Sequence, residues 1–352
     1  LVLIKPYQTI AMTRNLLLVS LSLLYFGKST AQSPVEIGLS SGITNYYGDL
    51  GHDDWFKSNS TQPGVAVTFR NFLKPGSYSG QFYRPVSAEI RLSWNRLQLD
   101  EVIPYGGREG FELRNYGRGI GFRNDLFGIS THVTYTYYKN PRVPLHLQPP
   151  AFFFFTGIGA YYGAPKADLF NGDIDINNRY HYWPDGTIRD IAYGGPGSEG
   201  NIIEKDGEYE TELNDWITEG GSATVEGKLT KKSKMVNLAI PLGFGLRYGL
   251  SKSLTASMEF GYYMFFTDLI DDVSNRYPTY SEIASTYSGD PIKQELALYI
   301  SDPTGLGRGN PNGVGMSPRG NPSSKDAHSF IALELAYKLD FRRGVQRLWG
   351  SK

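Results

Sequence analysis

The chain has 352 residues, room for one large domain or two small ones, and its 35 Lys and Arg balance its 35 Asp and Glu. Zero net charge leaves no basic face for a polyanion, which argues against nucleic acid as a partner. With no cysteine, the chain lacks disulfides, a thiolate nucleophile, a cysteine metal site and an acylated-cysteine anchor, while 41 Gly and 25 Tyr suit strands, turns and interface belts.

In chain order, residues 1–11 precede a plausible start at Met12 and carry no fold information. Met12-Thr13-Arg14-Asn15 opens a short positive region, and Leu16 to Phe26 is apolar. Small residues at Ser29-Thr30-Ala31 then fit a cleavage site. This is the layout of a secretory signal, shorter than the ~18 residues a helical span needs. A leader and cleaved signal over 1–31 is therefore expected. Nothing after residue 32 is long and apolar enough for a transmembrane helix, so any membrane crossing must use strands.

From there the apolar residues recur every second position. Val86 to Asn95 sets Val86, Ala88, Ile90, Leu92 and Trp94 against Ser87, Glu89, Arg91, Ser93 and Asn95. The same alternation runs through 236–248, 254–264 and 331–339, and weaker candidates are 35–47, 64–71, 126–138 and 151–163. The run of Phe152 to Phe155 alternates least, so its facing stays open. Eight strands of about this length suit tilted membrane strands. The connections lie near 48–63, 72–85, 96–125, 139–150, 164–235, 249–253 and 265–329. The long ones are odd-numbered, as in an even-stranded barrel with periplasmic termini. The expected fold is all-β: a transmembrane antiparallel up-and-down barrel over 32–341, with long outer loops near 164–235 and 265–329 and a periplasmic tail over 342–352. Its location would be the outer membrane, with lipid as the surrounding partner. Tyr46, Tyr47, Trp94, Tyr137, Tyr138, Tyr161, Tyr162, Tyr248, Tyr262 and Tyr263, near strand ends, read as aromatic belts.

Polar parity places Glu36, Glu89, Glu259 and Glu334 in the lumen with Arg70, Arg91, Arg247 and Lys338. Four acids against four bases, in an interior only wide enough for side chains, imply a paired network that plugs the tube. Ser130 and His132 share that face but lack an orienting carboxylate nearby in sequence, so no catalytic residue and no enzyme is expected. Asp173, Asp175 and Asn177 fit part of a calcium loop, but Asn178 stands where the turn glycine belongs and no Glu closes the frame. They are weak metal candidates on a solvated loop, and no cofactor is expected. Asp268, Asp271 and Asp272 form an acidic cluster that could bind an ion, cap a turn or pair with Arg276. The Gly-rich stretches around 194 and 305 read as flexible loops, without the strand-to-helix context of a phosphate cradle.

Several stretches resemble a known family. They are Glu36-Ile37-Gly38 with Asn45-Tyr46-Tyr47-Gly48-Asp49-Leu50; residues 155–166, closing on Ala164-Pro165-Lys166; residues 240–248; and Phe266-Thr267-Asp268-Leu269-Ile270-Asp271-Asp272-Val273-Ser274. The closing stretch is Arg319-Gly320-Asn321-Pro322 with Lys325-Asp326, then 336–339. Together they resemble the PorG-like outer-membrane barrels of Bacteroidetes, one of which is a type IX secretion system component. The most specific element is Thr267, Asp268, Asp271, Asp272, Val273 and Ser274. The resemblance implies a non-catalytic structural component that docks a periplasmic lipoprotein ring. The outer loops 164–235 and 265–329 are longer than is usual in the family. That length motivates the competing expectation of a surface barrel whose loops bind a ligand or partner.

Overall fold

The computed structural model describes residues 35–51, 56–73, 85–101, 111–194, 199–221, 224–225, 228–229, 234–308 and 318–339. The expected signal over 1–31 and the tail over 342–352 lie outside them.

Eight long strands form the wall: β1 (Val35–Tyr47), β2 (Gln62–Phe72), β3 (Val86–Asp100), β4 (Gly121–Tyr137), β5 (Ala151–Tyr162), β6 (Val236–Gly249), β7 (Leu254–Phe265) and β8 (Ala327–Leu339). Each pairs antiparallel with its neighbours in the chain, and β1 closes the ring on β8 from Val35 opposite Leu339 to Tyr47 opposite Ala327. No wall strand is left with a free edge, the condition for β-structure in hydrocarbon. Pro241 lies inside β6, and the β6–β5 ladder runs in one register from Val236–Tyr162 to Ala239–Gly159 and resumes at Leu242–Thr156. The ladder lapses where proline has no N–H to give.

Alternation sorts the strands into two faces. Leu39, Val133, Phe154, Leu242, Met258 and Leu333 point outward and are exposed, on strands all round the ring. An apolar surface of this extent on a closed barrel is a lipid-facing wall. It stops at the outer end where Arg96 of β3 faces Asp125 of β4, paired at 2.8 Å. From Phe127 to Tyr137 the outward positions of β4 are uncharged, a stretch suited to the ~9–11 residues of a spanning strand.

Alternation also resolves β5: Phe153 and Phe155 point inward and are buried, whereas Phe152 and Phe154 face out. It corrects the reading of the tyrosines as belts. Tyr46, Tyr138, Tyr161 and Tyr263 are buried inside, and their neighbours Tyr137 and Tyr162 face lipid. Adjacent residues on a strand cannot share a face, so each Tyr-Tyr pair contributes at most one ring to a belt.

The described parts of the outer connections are folded. The hydrophobic core continues past the strand ends, from Leu97, Leu99 and Phe122 to Leu169, Phe170 and Leu213 of the third outer loop and Ile270, Val273, Leu296 and Ile300 of the fourth. The loops carry helices α1 (Phe111–Arg118), α2 (Tyr280–Thr286) and α3 (Pro291–Ser301). Thr279 and Glu282 form a capping box at α2, and Asp290 caps α3 ahead of Pro291, each supplying acceptors for otherwise unsatisfied first-turn amides. Residues 166–167 extend the wall sheet by pairing Lys166 with Arg123, and residues 211–212 pair onto them. The loop is thereby anchored to β4.

Leu242→Arg, near the middle of β6 on the lipid face, is expected to cost about 2–4 kcal/mol in the vesicle-folded state. Urea unfolding from lipid vesicles, followed by tryptophan fluorescence, measures it.

Candidate functional site

Polar side chains gather in two constellations: the plug in the lumen and a cluster at the outer mouth. In the plug, Arg70 of β2 reaches three carboxylates on three other strands, donating to Glu89 at 2.7 Å, Glu334 at 2.9 Å and Glu36 at 3.2 Å. Arg91 grips Glu259 with both terminal nitrogens, at 2.6 and 2.9 Å, and also donates to Tyr263 at 3.1 Å. Arg247 lies 3.9 Å from Glu89 and over the ring of Phe153. These four Glu and three Arg are all buried. A guanidinium offers five donors in a plane, so one Arg can hold acids from several strands at once.

Lys338 stands apart from the buried set. It is opposite Glu36 in register but only half-buried, one residue from the end of β8. The expected four-against-four balance is thus three buried bases against four buried acids, with the fourth base at the periplasmic mouth. Aromatic rings fill the rest: His132 stacks on Phe155 at 5.1 Å and His328 on Tyr263 at 4.6 Å. Among the described residues neither ring nitrogen of His132 has a hydrogen-bond partner.

At the outer mouth, three stretches far apart in the chain interlock. Tyr46 of β1 donates its hydroxyl to Asp271, whose other oxygen accepts the Val273 amide at 2.9 Å. Asp326 accepts the Ile270 amide at 2.8 Å, and Asp49 accepts the Asn321 amide at 2.6 Å. Arg319 donates to the Asp272 carbonyl and lies 3.4 Å from Glu219, which accepts the Ser274 amide at 2.5 Å. Gly48 is required by close approach, since a Cβ there would sit 2.0 Å from the Tyr46 hydroxyl and 2.3 Å from Asp326. Asp272 adopts a left-handed φ of 63°.

The alternatives left open for Asp268, Asp271 and Asp272 are now resolved in part. All three are buried, Asp271 closes a turn, and Arg276 pairs instead with Glu282 at 2.7 Å. Thr267 contributes its carbonyl to the Asp326 amide at 3.2 Å, and Val273 belongs to the core. Sequence reasoning missed Glu219, Glu101 and Arg118. Arg118 pairs with Glu101 and donates to the Asp49 carbonyl at 3.1 Å. Glu101 and Arg118 come from the second outer loop and Glu219 from the third, and no local pattern marks them. Between Asp49, Arg118, Tyr277 and Arg319 lies an open cavity of about 460 Å³.

Asp173, Asp175 and Asn177 lie on the surface of the third outer loop. All are exposed; Asp175 accepts from the backbone and side-chain nitrogens of Asn177, both at 2.8 Å, and so serves a turn. Three other carboxylates, Asp168, Asp206 and Glu210, come together within 4.8 Å.

No protein-family model matches the chain, and no curated protein matches it. Among solved structures it is similar to Neisserial surface protein A, at 6% identity over 87% of this chain and 97% of that one, with a TM-score of 0.29. It is also similar to Ail, the attachment invasion locus protein of Yersinia pestis, at 6% identity over 87% and 99%, TM-score 0.30. The outer membrane protein OprG from Pseudomonas aeruginosa gives 8% identity over 87% and 95%, TM-score 0.29. The barrel assignment rests on the closed ladder and the apolar wall, not on these weak likenesses. A closed antiparallel barrel with a lipid-facing wall is an integral outer-membrane protein.

Two outcomes follow. Arg70→Met would leave Glu36, Glu89 and Glu334 without their shared partner and is expected to destabilise the barrel by about 3–5 kcal/mol in urea unfolding. At the mouth, burial pushes the carboxyls of Asp268, Asp272 and Asp271 up to about 6, 7 and 8 from an ordinary 3.8, with neighbouring acids adding to the effect. Groups raised in the folded state contribute full stability below the ordinary value and lose it as pH climbs through the folded values. The cap is therefore expected to melt at a lower temperature at pH 9 than at pH 5, by near-UV circular dichroism. Asp271→Asn, which mimics the protonated acid, should flatten that slope.

Proposed function

We propose that this protein is a non-catalytic structural component of the outer membrane, and that it serves the type IX secretion apparatus by docking periplasmic ring proteins. The observation that carries the structural role is the plug: Arg70, Arg91 and Arg247 are paired across the axis and buried, so charged side chains fill the interior of the eight-stranded tube. A closed, filled tube is a rigid fixture, and its work is done at its ends.

The secretion assignment is supported by the resembling stretches at 45–50, 266–274 and 319–326. They do not lie scattered over the wall but meet at the outer mouth, through the buried contacts of Tyr46 with Asp271 and Asp326 with Ile270 and the exposed contact of Asp49 with Asn321. Residues shared with a family through one cooperative contact set are a stronger resemblance than strand patterns, which any barrel repeats.

A second reading has its own observation. The outer loops build a packed cap with helices and a continuous core, far more structure than a tether needs. Such a cap suits a surface barrel that binds a ligand or partner outside the cell.

The two are separated by purifying the protein from detergent-solubilised outer membranes and identifying co-purifying proteins by mass spectrometry. Recovery of a periplasmic lipoprotein, lost when the short periplasmic connections are replaced by minimal turns, is the expected result. Absence of any periplasmic partner, with secretion unaffected by deletion of the gene, would remove the secretion role.

A further inference from the structure

Just beyond the wall, the third outer loop folds back on its own first residues beside a set of carboxylates with unused oxygens. Asp168 follows the short strand that anchors the loop to β4, and Asp206 and Glu210 return to it some forty residues later. One oxygen from each of the three lies within 4.8 Å of the others.

Most of the acceptor capacity is already committed to the backbone. Asp168 Oδ2 accepts the Gly207 amide at 2.8 Å, and Asp206 Oδ2 accepts that of Gly172 at 2.9 Å. Glu210 Oε1 accepts Leu169 at 3.0 Å, Phe170 at 3.2 Å and the Thr211 hydroxyl at 2.6 Å. What remains is the observation that points to a ligand. Asp168 is 3% exposed, yet its Oδ1 has no hydrogen-bond partner among the described residues, and neither does the buried Oε2 of Glu210. A buried carboxylate oxygen without a donor is costly, and here two of them belong to a group of three negative charges. Lys205, whose charge acts on Asp168, is committed at 2.8 Å to Asp100.

We infer that Asp168, Asp206 and Glu210 bind a calcium ion, which staples the start of the third outer loop to its middle. Calcium takes oxygen ligands at about 2.3–2.6 Å in irregular arrangements, which suits carboxylates drawn from separate points of a loop; magnesium, at about 2.0–2.1 Å, demands a near-ideal octahedron. Asp206 is exposed and opens the site to the medium, which gives the ion an entry path and room for water ligands. The site is distinct from Asp173, Asp175 and Asn177, which are exposed on the same loop.

The test uses the mature protein folded in detergent micelles and stripped with a chelator. Calcium is titrated by isothermal calorimetry, with terbium luminescence excited through the nearby tyrosines as an independent readout. One saturable site is expected, in the 0.1–1 mM range of about 10⁻⁴–10⁻³ M typical of extracellular modules. Asp168→Asn and Glu210→Gln should each weaken it at least about tenfold, and Asp173→Asn should not change it. Heat-modifiable migration reports that each variant is folded; if Asp168→Asn fails to fold, Glu210→Gln decides. Unchanged affinity in the folded variants, no saturable binding up to about 10 mM, or magnesium binding as tightly as calcium would each overturn the assignment.

Discussion

Backbone groups in hydrocarbon have no water to bond, and every other feature of this protein answers to that fact. A sheet can enter a bilayer only if its last strand pairs with its first, and here β8 pairs with β1 along their whole length. Closure at eight strands then sets the bore. Too narrow for a water column, it must be filled by the inward half of every strand, and those residues are largely polar because the outward half must be apolar. The ion-pair network follows from the ring's size. Four buried Glu and three buried Arg can coexist there because each Arg spans several strands, as Arg70 does with β1, β3 and β8.

The wall and the plug do not extend to the outer mouth, where a different balance holds. There the core rises out of the barrel into the loops, and the polar groups trapped at the junction are mostly acids. Backbone amides at Val273, Ile270, Asn321 and Ser274 do the neutralising that arginines do below. Burial outweighs the amide on Asp271 and the charge of Arg319, so the carboxyls of Asp271 and Asp272 hold their protons to near-neutral pH. The junction therefore trades charge for packing, and it joins β1, the fourth outer loop and the approach to β8 into one unit. That is the part of the surface on which a partner would find a fixed shape.

Much of this was legible in the chain, for a definite reason. A strand in a barrel has two solvents, lipid outside and packed polar groups inside, and period two writes that difference into each segment. Hence the eight strands, the asymmetry of their connections and the inward positions of Glu36, Arg70, Glu89, Arg91, Arg247, Glu259 and Glu334 could be read from alternation. Where both faces take aromatics, as at Phe152 to Phe155, or where tyrosines come in pairs, alternation carries no contrast and the facing had to come from the register. Local motif matching likewise led to Asp173, Asp175 and Asn177, whose spacing satisfies only a turn.

The sequence alone determined the class of structure, because lipid and lumen select residues position by position along each strand. The tertiary structure alone decided which charge meets which, that the outer loops fold into a cap, and that Asp168 joins Asp206 and Glu210 while Tyr46 joins Asp271. Those contacts link residues tens to hundreds of positions apart, and only ring closure and loop packing bring them within bonding distance.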